Sequence, residues 1–180
     1  MSQMGLVIID IQNNYFKGGA SELFQPDAAT EKAKEVLTYF RENNLPVFHV
    51  KHLFKLNMDE KNKEELLEIH KTVEPRGSEV VIEKHYPSSF LGTNLQQQLS
   101  DAGIKKLVIV GMMSHMCIDT TTRAAQDYGY EVILLEDACT TKDLVTKHGT
   151  VSASIVHDVF MASLNGTFAK VMTVKEFLDM

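Results

Sequence analysis

The sequence lacks any apolar run that approaches the ~20 residues needed to span a bilayer, and it lacks an excess of basic charge. Its 18 lysines and arginines are outnumbered by 24 aspartates and glutamates, for a formal net charge of −6. Nucleic acids and anionic membrane surfaces attract basic patches, so neither is an expected partner. The first apolar run, Met4–Ile9, meets Asp10 at once and has no basic leader or cleavage site. We therefore expect a cytoplasmic protein that acts on a small molecule.

Cysteine is also scarce, with Cys117 and Cys139 as the whole complement. The two lie on different predicted elements, and a cytoplasmic protein rarely holds a structural disulfide, so none is expected. Linkers, low-complexity tracts and internal repeats are missing as well. A chain of 180 residues suits one domain with a full hydrophobic core, so we expect a single domain over residues 1–180.

What the sequence does contain is an alternation of strand-like and helix-like segments. Continuous apolar runs predict strands that are covered on both faces, and apolar residues at helical spacing predict helices. The predicted strands are Gly5–Asp10, Pro46–His52, Glu79–Glu83, Leu107–Gly111, Glu131–Leu135 and Lys170–Thr173. The predicted helices are Ala28–Asn44, Thr93–Ala102, Met116–Tyr128, Thr150–Leu164 and Val174–Leu178. This alternation predicts an α/β fold: a doubly wound, mostly parallel six-stranded sheet of order 3-2-1-4-5-6 with helices on both faces.

The charged segment Lys55–Gly77 interrupts the alternation. A helix is predicted over Glu60–His70, and Pro75-Arg-Gly ends it. The ordinary interpretation is a solvated surface helix. A mobile lid or an oligomer contact is the alternative for Leu66–Val73.

Three reactive side chains fall where predicted strands end. Asp10 closes the first strand, Lys84 closes the third, and Cys117 follows the fourth. Ligands of doubly wound sheets bind beyond the carboxyl ends of the strands, near the point where strand order reverses. Each residue alone has an ordinary explanation: a capping acid, a solvated lysine, a small buried hydrophobe. The coincidence of all three favours chemistry, with Asp10 and Lys84 as an ion pair.

Cys117 is predicted to open a helix. Free N–H groups and the positive end of the helix dipole lower the pKa of a thiol there and can hold an oxyanion. We therefore expect Cys117 to be a nucleophile. Cys139, in the loop expected after the fifth strand, fits an inert buried cysteine.

Three segments, Asp10–Asn13, Glu83–Phe90 and Gly111–Arg123, also carry a resemblance. Together and in this order they resemble the signature segments of the isochorismatase-like cysteine hydrolases, which include nicotinamidases and N-carbamoylsarcosine amidase. The resemblance covers the chain from the first strand to the final helix.

This resemblance implies a catalytic triad of Asp10, Lys84 and Cys117. Cys117 would attack a carbonyl carbon, Asp10 would carry the proton, and Lys84 would favour the thiolate. The oxyanion would bind the backbone N–H groups of Met113 and Cys117. A cis peptide bond would join Met112 to Met113.

The stretch after the second strand departs from the family's metal-binding members. Nicotinamidases carry an Asp-x-His pattern with a further histidine, whereas this chain has His49-Val-Lys-His52-Leu-Phe54 without a carboxylate. His49 and His52 are three positions apart on a strand and so point to opposite faces. The sequence therefore predicts no metal and no cofactor, with His49 packed against a helix and His52 near the pocket.

Aromatic, histidine and methionine side chains beside the triad are candidate substrate-binding residues, and such walls suit a small planar amide, although the aromatic ones could equally be core. The candidates are Tyr15, Phe16, His52, Phe90, His115 and Met116. Related folds commonly self-associate, so we expect a homo-oligomer, a dimer or tetramer.

The leading hypothesis is a metal-independent cysteine amidohydrolase that hydrolyses a small carboxamide or carbamoyl compound through a thioester. One alternative is isochorismatase-type hydrolysis of a vinyl ether, which needs no thiol. The other is a catalytically silent metabolite-binding or scaffold member of the same fold. A nucleotide-binding module is disfavoured, because no turn has the glycines of a phosphate-binding G-x-G-x-x-G loop.

Overall fold

A parallel sheet forms the centre of the structure, a computed structural model that describes residues 4–54 and 60–180. The strands are β1 Met4–Ile9, β2 Val47–His52, β3 Val80–Lys84, β4 Lys106–Met112, β5 Glu131–Thr140, β6 Leu144–Thr146, β7 Gly149–Val151 and β8 Lys170–Met172. Six of them lie in the order β3-β2-β1-β4-β5-β8, and all neighbours in this sheet are parallel. The predicted order is confirmed, with β8 as the predicted sixth strand.

Helices cover both faces of this sheet. They are α1 Pro26–Glu42, α2 Glu60–Leu67, α3 Leu95–Asp101, α4 Asp119–Asp127, α5 Ala153–Leu164 and α6 Val174–Leu178. Side chains alternate along β1, so Leu6 and Ile8 join the core formed with α1 and α6, while Val7 and Ile9 join the core formed with α3, α4 and α5. After their first residues, Met4 and Lys106, the central strands β1 and β4 are therefore buried throughout, which explains the continuous apolar runs. The doubly wound architecture is confirmed.

The antiparallel hairpin of β6 and β7 was not predicted. Its strands have three residues each, too few for an alternating pattern, and Val145 is 86% exposed. Because residues 149–151 belong to β7, the predicted helix start at Thr150 is wrong, and α5 begins at Ala153. Cys139 also lies in a strand rather than a loop, since β5 continues past an irregularity in its pairing with β4.

The segment after β2 is only partly a surface helix. Residues 55–59 of the Lys55–Gly77 segment lie outside the described chain, and α2 is shorter than the predicted Glu60–His70 helix. Leu67 and Val73 are buried, so the solvated interpretation is wrong for them. The His70 N–H donates to the carbonyl of Ile11 (2.8 Å), which fastens this segment to the loop after β1. Along the described residues, no helix is both long and apolar enough to cross a membrane.

Gly111 is fixed by close packing in the middle of the sheet. Its φ is +132°, and an added Cβ would lie 2.0 Å from the carbonyl oxygen of Ile9. We expect Gly111→Ala to lower the free energy of unfolding by at least about 3 kcal/mol, because the backbone of β1 cannot give way as a side chain could. Urea unfolding measures the loss.

Gly103→Ala is the matched control. Gly103 also has a positive φ, +67°, but nothing lies within 4 Å of an added Cβ. The strain of the left-handed backbone alone should cost about 1–2 kcal/mol. Equal losses in the two variants would contradict the packing argument.

Candidate active site

A buried ion pair joins the ends of two strands that are not neighbours. Asp10 follows β1 and Lys84 ends β3, with β2 between them. Lys84 Nζ lies 2.7 Å from Asp10 Oδ2, and both side chains are 0% exposed. Neither oxygen of Asp10 has a partner with hydrogen-bond geometry among the described residues, so the contact is electrostatic.

The Lys84 ammonium is also surrounded by neutral acceptors. It donates to the carbonyl oxygens of Tyr86 (3.2 Å) and Pro87 (3.1 Å), in the loop that follows β3. Nδ1 of His52 lies 3.3 Å from Nζ. A buried cation needs such partners, because desolvation of an unpaired charge is costly.

Cys117 is the third reactive residue of the site. It comes from the turn after β4, on the other side of β1 from Lys84. It lies in a single turn of π-helix, Ser114–Ile118, between β4 and α4. Its Sγ is 3.8 Å from His52 Nδ1, and the nearest ligand atoms of Asp10, His52 and Cys117 all lie within 4.8 Å of one another. The structure therefore brings Asp10, Lys84 and Cys117 together at the carboxyl edge of the sheet. The Met112–Met113 peptide bond is cis, as the resemblance implies.

The predicted lowering of the Cys117 pKa is wrong. Cys117 is only 3% exposed. Burial, with the negative charge of Asp10, raises the pKa of the thiol to about 12, although Lys84 acts in the opposite direction. The sulfur is therefore a thiol at neutral pH and needs a base at the moment it reacts.

The same residues fit a divalent metal poorly. Asp10, His52 and Cys117 are three metal-ligand types within reach of one ion. The Lys84 ammonium, however, lies 2.7 Å from Asp10 and 3.3 Å from the His52 nitrogen that would bind the metal. The positive charge of Lys84 therefore already lies where a metal cation would have to bind. His49 points to the other face of β2, where its Nε2 lies 2.9 Å from Glu79 Oε2.

Two of the candidate substrate-binding residues lie at the reactive group. His52 packs against Phe54 with ring centroids 4.2 Å apart, and Tyr15 meets Phe54 edge-on at 5.7 Å. Burial and the nearby Asp10 raise the pKa of the Tyr15 phenol, which stays neutral. Phe16 instead stacks on His70 at 3.9 Å.

The other three candidates have different surroundings. Phe90 is buried in the core against Tyr128 and Tyr130, so its contacts favour a packing role. His115 packs edge-on against Phe160, and Met116 is 40% exposed.

Sequence reasoning missed Gln12. This fully buried amide donates to the carbonyl oxygens of His52 (3.0 Å) and Leu67 (2.6 Å), and it accepts from the His52 N–H (2.8 Å). It therefore ties the loop after β1 to the end of β2 and to α2. The sequence signal was its place in the Asp10–Asn13 segment, and its contacts left no further one, because its partners lie 40 and 55 residues away.

Comparisons of this chain with family models, known proteins and solved structures all point to the same family. A family model described as the isochorismatase domain matches residues 4–176. YddQ, an uncharacterized isochorismatase family protein of Bacillus subtilis, is 45% identical over 175 residues, covering 96% of this chain and 97% of YddQ. The solved structure of an isochorismatase from Pseudomonas putida superposes with a TM-score of 0.91 at 34% identity, covering 97% of this chain and 89% of that one.

One further relative is relevant to the cellular location of this chain. The secreted isochorismatase effector Isc1 of Verticillium dahliae is 34% identical over 178 residues, covering 95% of this chain and 88% of Isc1. Because one relative is secreted, the cytoplasmic location of this chain stays a prediction, as does its assembly into an oligomer.

The charges around the thiol predict how Cys117 is alkylated. Asp10 raises its pKa and Lys84 lowers it. Removing the carboxylate in Asp10→Asn should therefore speed the reaction with iodoacetamide at pH 8, and removing the cation in Lys84→Met should slow it. Peptide mass spectrometry of the Cys117 peptide measures both rates, with Cys139 as an internal reference. The opposite order would contradict the electrostatic account.

Proposed function

Because this chain belongs to the isochorismatase family of hydrolases, we propose that it is a metal-independent cysteine amidohydrolase that cleaves a small carboxamide or carbamoyl compound through a thioester. One observation carries the proposal: a thiol lies within 4.8 Å of a buried carboxylate, which itself forms an ion pair with a buried ammonium. Nucleophile, base and cation are the groups that acyl transfer through sulfur requires.

Names of more distant relatives support amide chemistry. Nicotinamidase 3 of Arabidopsis thaliana is 27% identical over 152 residues, which is 76% of this chain. The ureidoacrylate amidohydrolase RutB of Acinetobacter baylyi is 34% identical, but over only 76 residues. Both are named for hydrolysis of a C–N bond next to a carbonyl.

In the proposed acylation step, Asp10 takes the thiol proton as Sγ attacks the carbonyl carbon. The C=O electron pair moves onto oxygen, which the N–H groups of Met113 and Cys117 would hold. Since burial keeps the resting sulfur protonated, the base acts in the transition state rather than before it. Asp10 then gives the proton to the departing nitrogen, and the C–N bond breaks to leave a thioester.

The proposed deacylation step uses the same carboxylate. Water attacks the thioester carbon while Asp10 takes one of its protons, and the C–S bond breaks. The sulfur regains a proton from Asp10, and the carboxylic or carbamic acid leaves. The ammonium of Lys84, beside both Asp10 and the sulfur, stabilises whichever of them carries the negative charge.

The surroundings of the thiol restrict the substrate to something small and planar. Tyr15, His52 and Phe54 place aromatic faces and edges beside the reactive group, and the remaining exposure of Cys117 is 3%. That small exposure also favours the second candidate, a catalytically silent member of the fold. The vinyl-ether reaction has no use for the thiol.

Turnover tests the proposal. A panel of small amides and carbamoyl compounds is screened for released ammonia, and Cys117→Ser is then compared with the native chain on any substrate found. We expect a loss of at least about a thousandfold, because the hydroxyl is a far weaker nucleophile beside this base. Dialysis against a chelator should leave the rate unchanged.

Cys139→Ala is the matched control, since Cys139 is buried in β5 beside Gly111 rather than beside Asp10. It should keep activity. Full activity in Cys117→Ser would sink the proposed mechanism, and ammonia release from no member of the panel would favour the silent alternative.

A further inference from the structure

His52 lies between the three groups of the proposed triad. Its Nδ1 is 3.3 Å from Lys84 Nζ, 3.7 Å from Asp10 Oδ2 and 3.8 Å from Cys117 Sγ. The reason is topological: β2 separates β1 from β3, and His52 is its last residue, paired in register with Lys84. Any ion pair between Asp10 and Lys84 must therefore form across the end of β2.

The backbone of His52 is held more tightly than a strand end requires. The Gln12 side chain donates to its carbonyl and accepts from its N–H, at 3.0 and 2.8 Å. The ring is held on the other side by Phe54, at 4.2 Å between centroids. Fixing both backbone groups and one ring face leaves the imidazole little freedom to turn away from the triad.

These contacts determine which ring nitrogen carries the proton. An ammonium has three donors and no acceptor, so Nδ1 must face Lys84 with its lone pair rather than with an N–H. The proton therefore sits on Nε2. In its 3.8 Å contact with His52 Nδ1, the thiol of Cys117 can therefore act only as a donor, to the same lone pair that faces Lys84.

Proton transfer to Asp10 creates a problem that His52 solves. When the carboxylate takes the thiol proton, it becomes neutral, and Lys84 loses its anionic partner at the step when the sulfur needs a cation nearby. The other three partners of the ammonium in the described part of the chain, the Tyr86 and Pro87 carbonyls and His52 Nδ1, do not change charge during this step. Of these, His52 Nδ1 is the one that also contacts the sulfur.

We propose that His52 is a positioning residue, whose Nδ1 lone pair anchors the Lys84 ammonium beside Cys117 while Asp10 carries the proton. This inference rests on the proposed thiol chemistry. It gives His52 a role in the reaction itself, in place of contact with the substrate alone.

Two substitutions distinguish the contribution of the His52 Nδ1 lone pair from the contribution of the side chain's bulk. His52→Asn places an amide oxygen close to where Nδ1 was and can still accept from Lys84, whereas His52→Leu fills similar space without an acceptor. We expect the leucine variant to lose about 10- to 100-fold in kcat/KM, the size expected for a hydrogen bond to a charged group. The asparagine variant should stay within about threefold of the native chain, which a loss of bulk alone would not explain.

Alkylation of Cys117 by iodoacetamide at pH 8 gives a second measurement that needs no substrate. The leucine variant should react about tenfold more slowly, because a less firmly held Lys84 stabilises the thiolate less, and the asparagine variant should react like the native chain. If no amide is turned over, the proposed function fails while this measurement still tests His52. If His52→Leu does not fold, as judged by circular dichroism, His52→Met replaces it.

His49→Asn controls for the loss of a buried histidine on the same strand, since His49 faces Glu79 on the opposite side of the sheet. It should leave the alkylation rate unchanged. Equal losses in His52→Asn and His52→Leu, or no loss in either, overturn the proposal.

Discussion

The contact between Asp10 and Lys84 is the interaction on which the rest of the site depends. Two fully buried opposite charges 2.7 Å apart are stable only if their remaining partners are supplied by the surrounding chain. The loop after β3 supplies carbonyls to the ammonium, and the end of β2 supplies an imidazole nitrogen. Without the pair, neither charge would be tolerated at the centre of the sheet's edge, and the thiol would have neither base nor cation.

The placement of the pair follows from the topology of the sheet. Strand order reverses between β1 and β4, so the residues that follow these two strands, Asp10 and the turn containing Cys117, approach each other above the reversal. Lys84 reaches the same point from β3 across one intervening strand. Such convergence could be predicted from the apolar runs, because a reactive residue ends or follows three of them and parallel strands bring their carboxyl ends to one edge.

Other features could not be predicted from local pattern. The hairpin of β6 and β7 is too short and too exposed to leave a periodic signal. The contacts between Gln12 and His52 join residues 40 positions apart, and no pattern of spacing along the chain predicts them. The thiol pKa was predicted with the wrong sign, because the position at a helix start is visible in the sequence whereas the depth of burial is set by the fold.

A protonated resting thiol has a consequence for the proposed chemistry. Oxidants and adventitious electrophiles react with thiolates, so a buried sulfur with a raised pKa is protected until a base removes its proton. Asp10 can do so productively only when a carbonyl carbon is in place to receive the sulfur. Burial of the Cys117 sulfur therefore disfavours a preformed thiolate, and it also makes the reactivity of this sulfur depend on a bound substrate.

The acyl group itself provides the most direct test. A reaction with an amide that the protein hydrolyses is quenched in acid during steady turnover, and the Cys117 peptide is examined by mass spectrometry. The account predicts a mass increase equal to the acyl group on Cys117, absent from the Asp10→Asn protein. Steady turnover with an unmodified Cys117, or the acyl group on another residue, would contradict it.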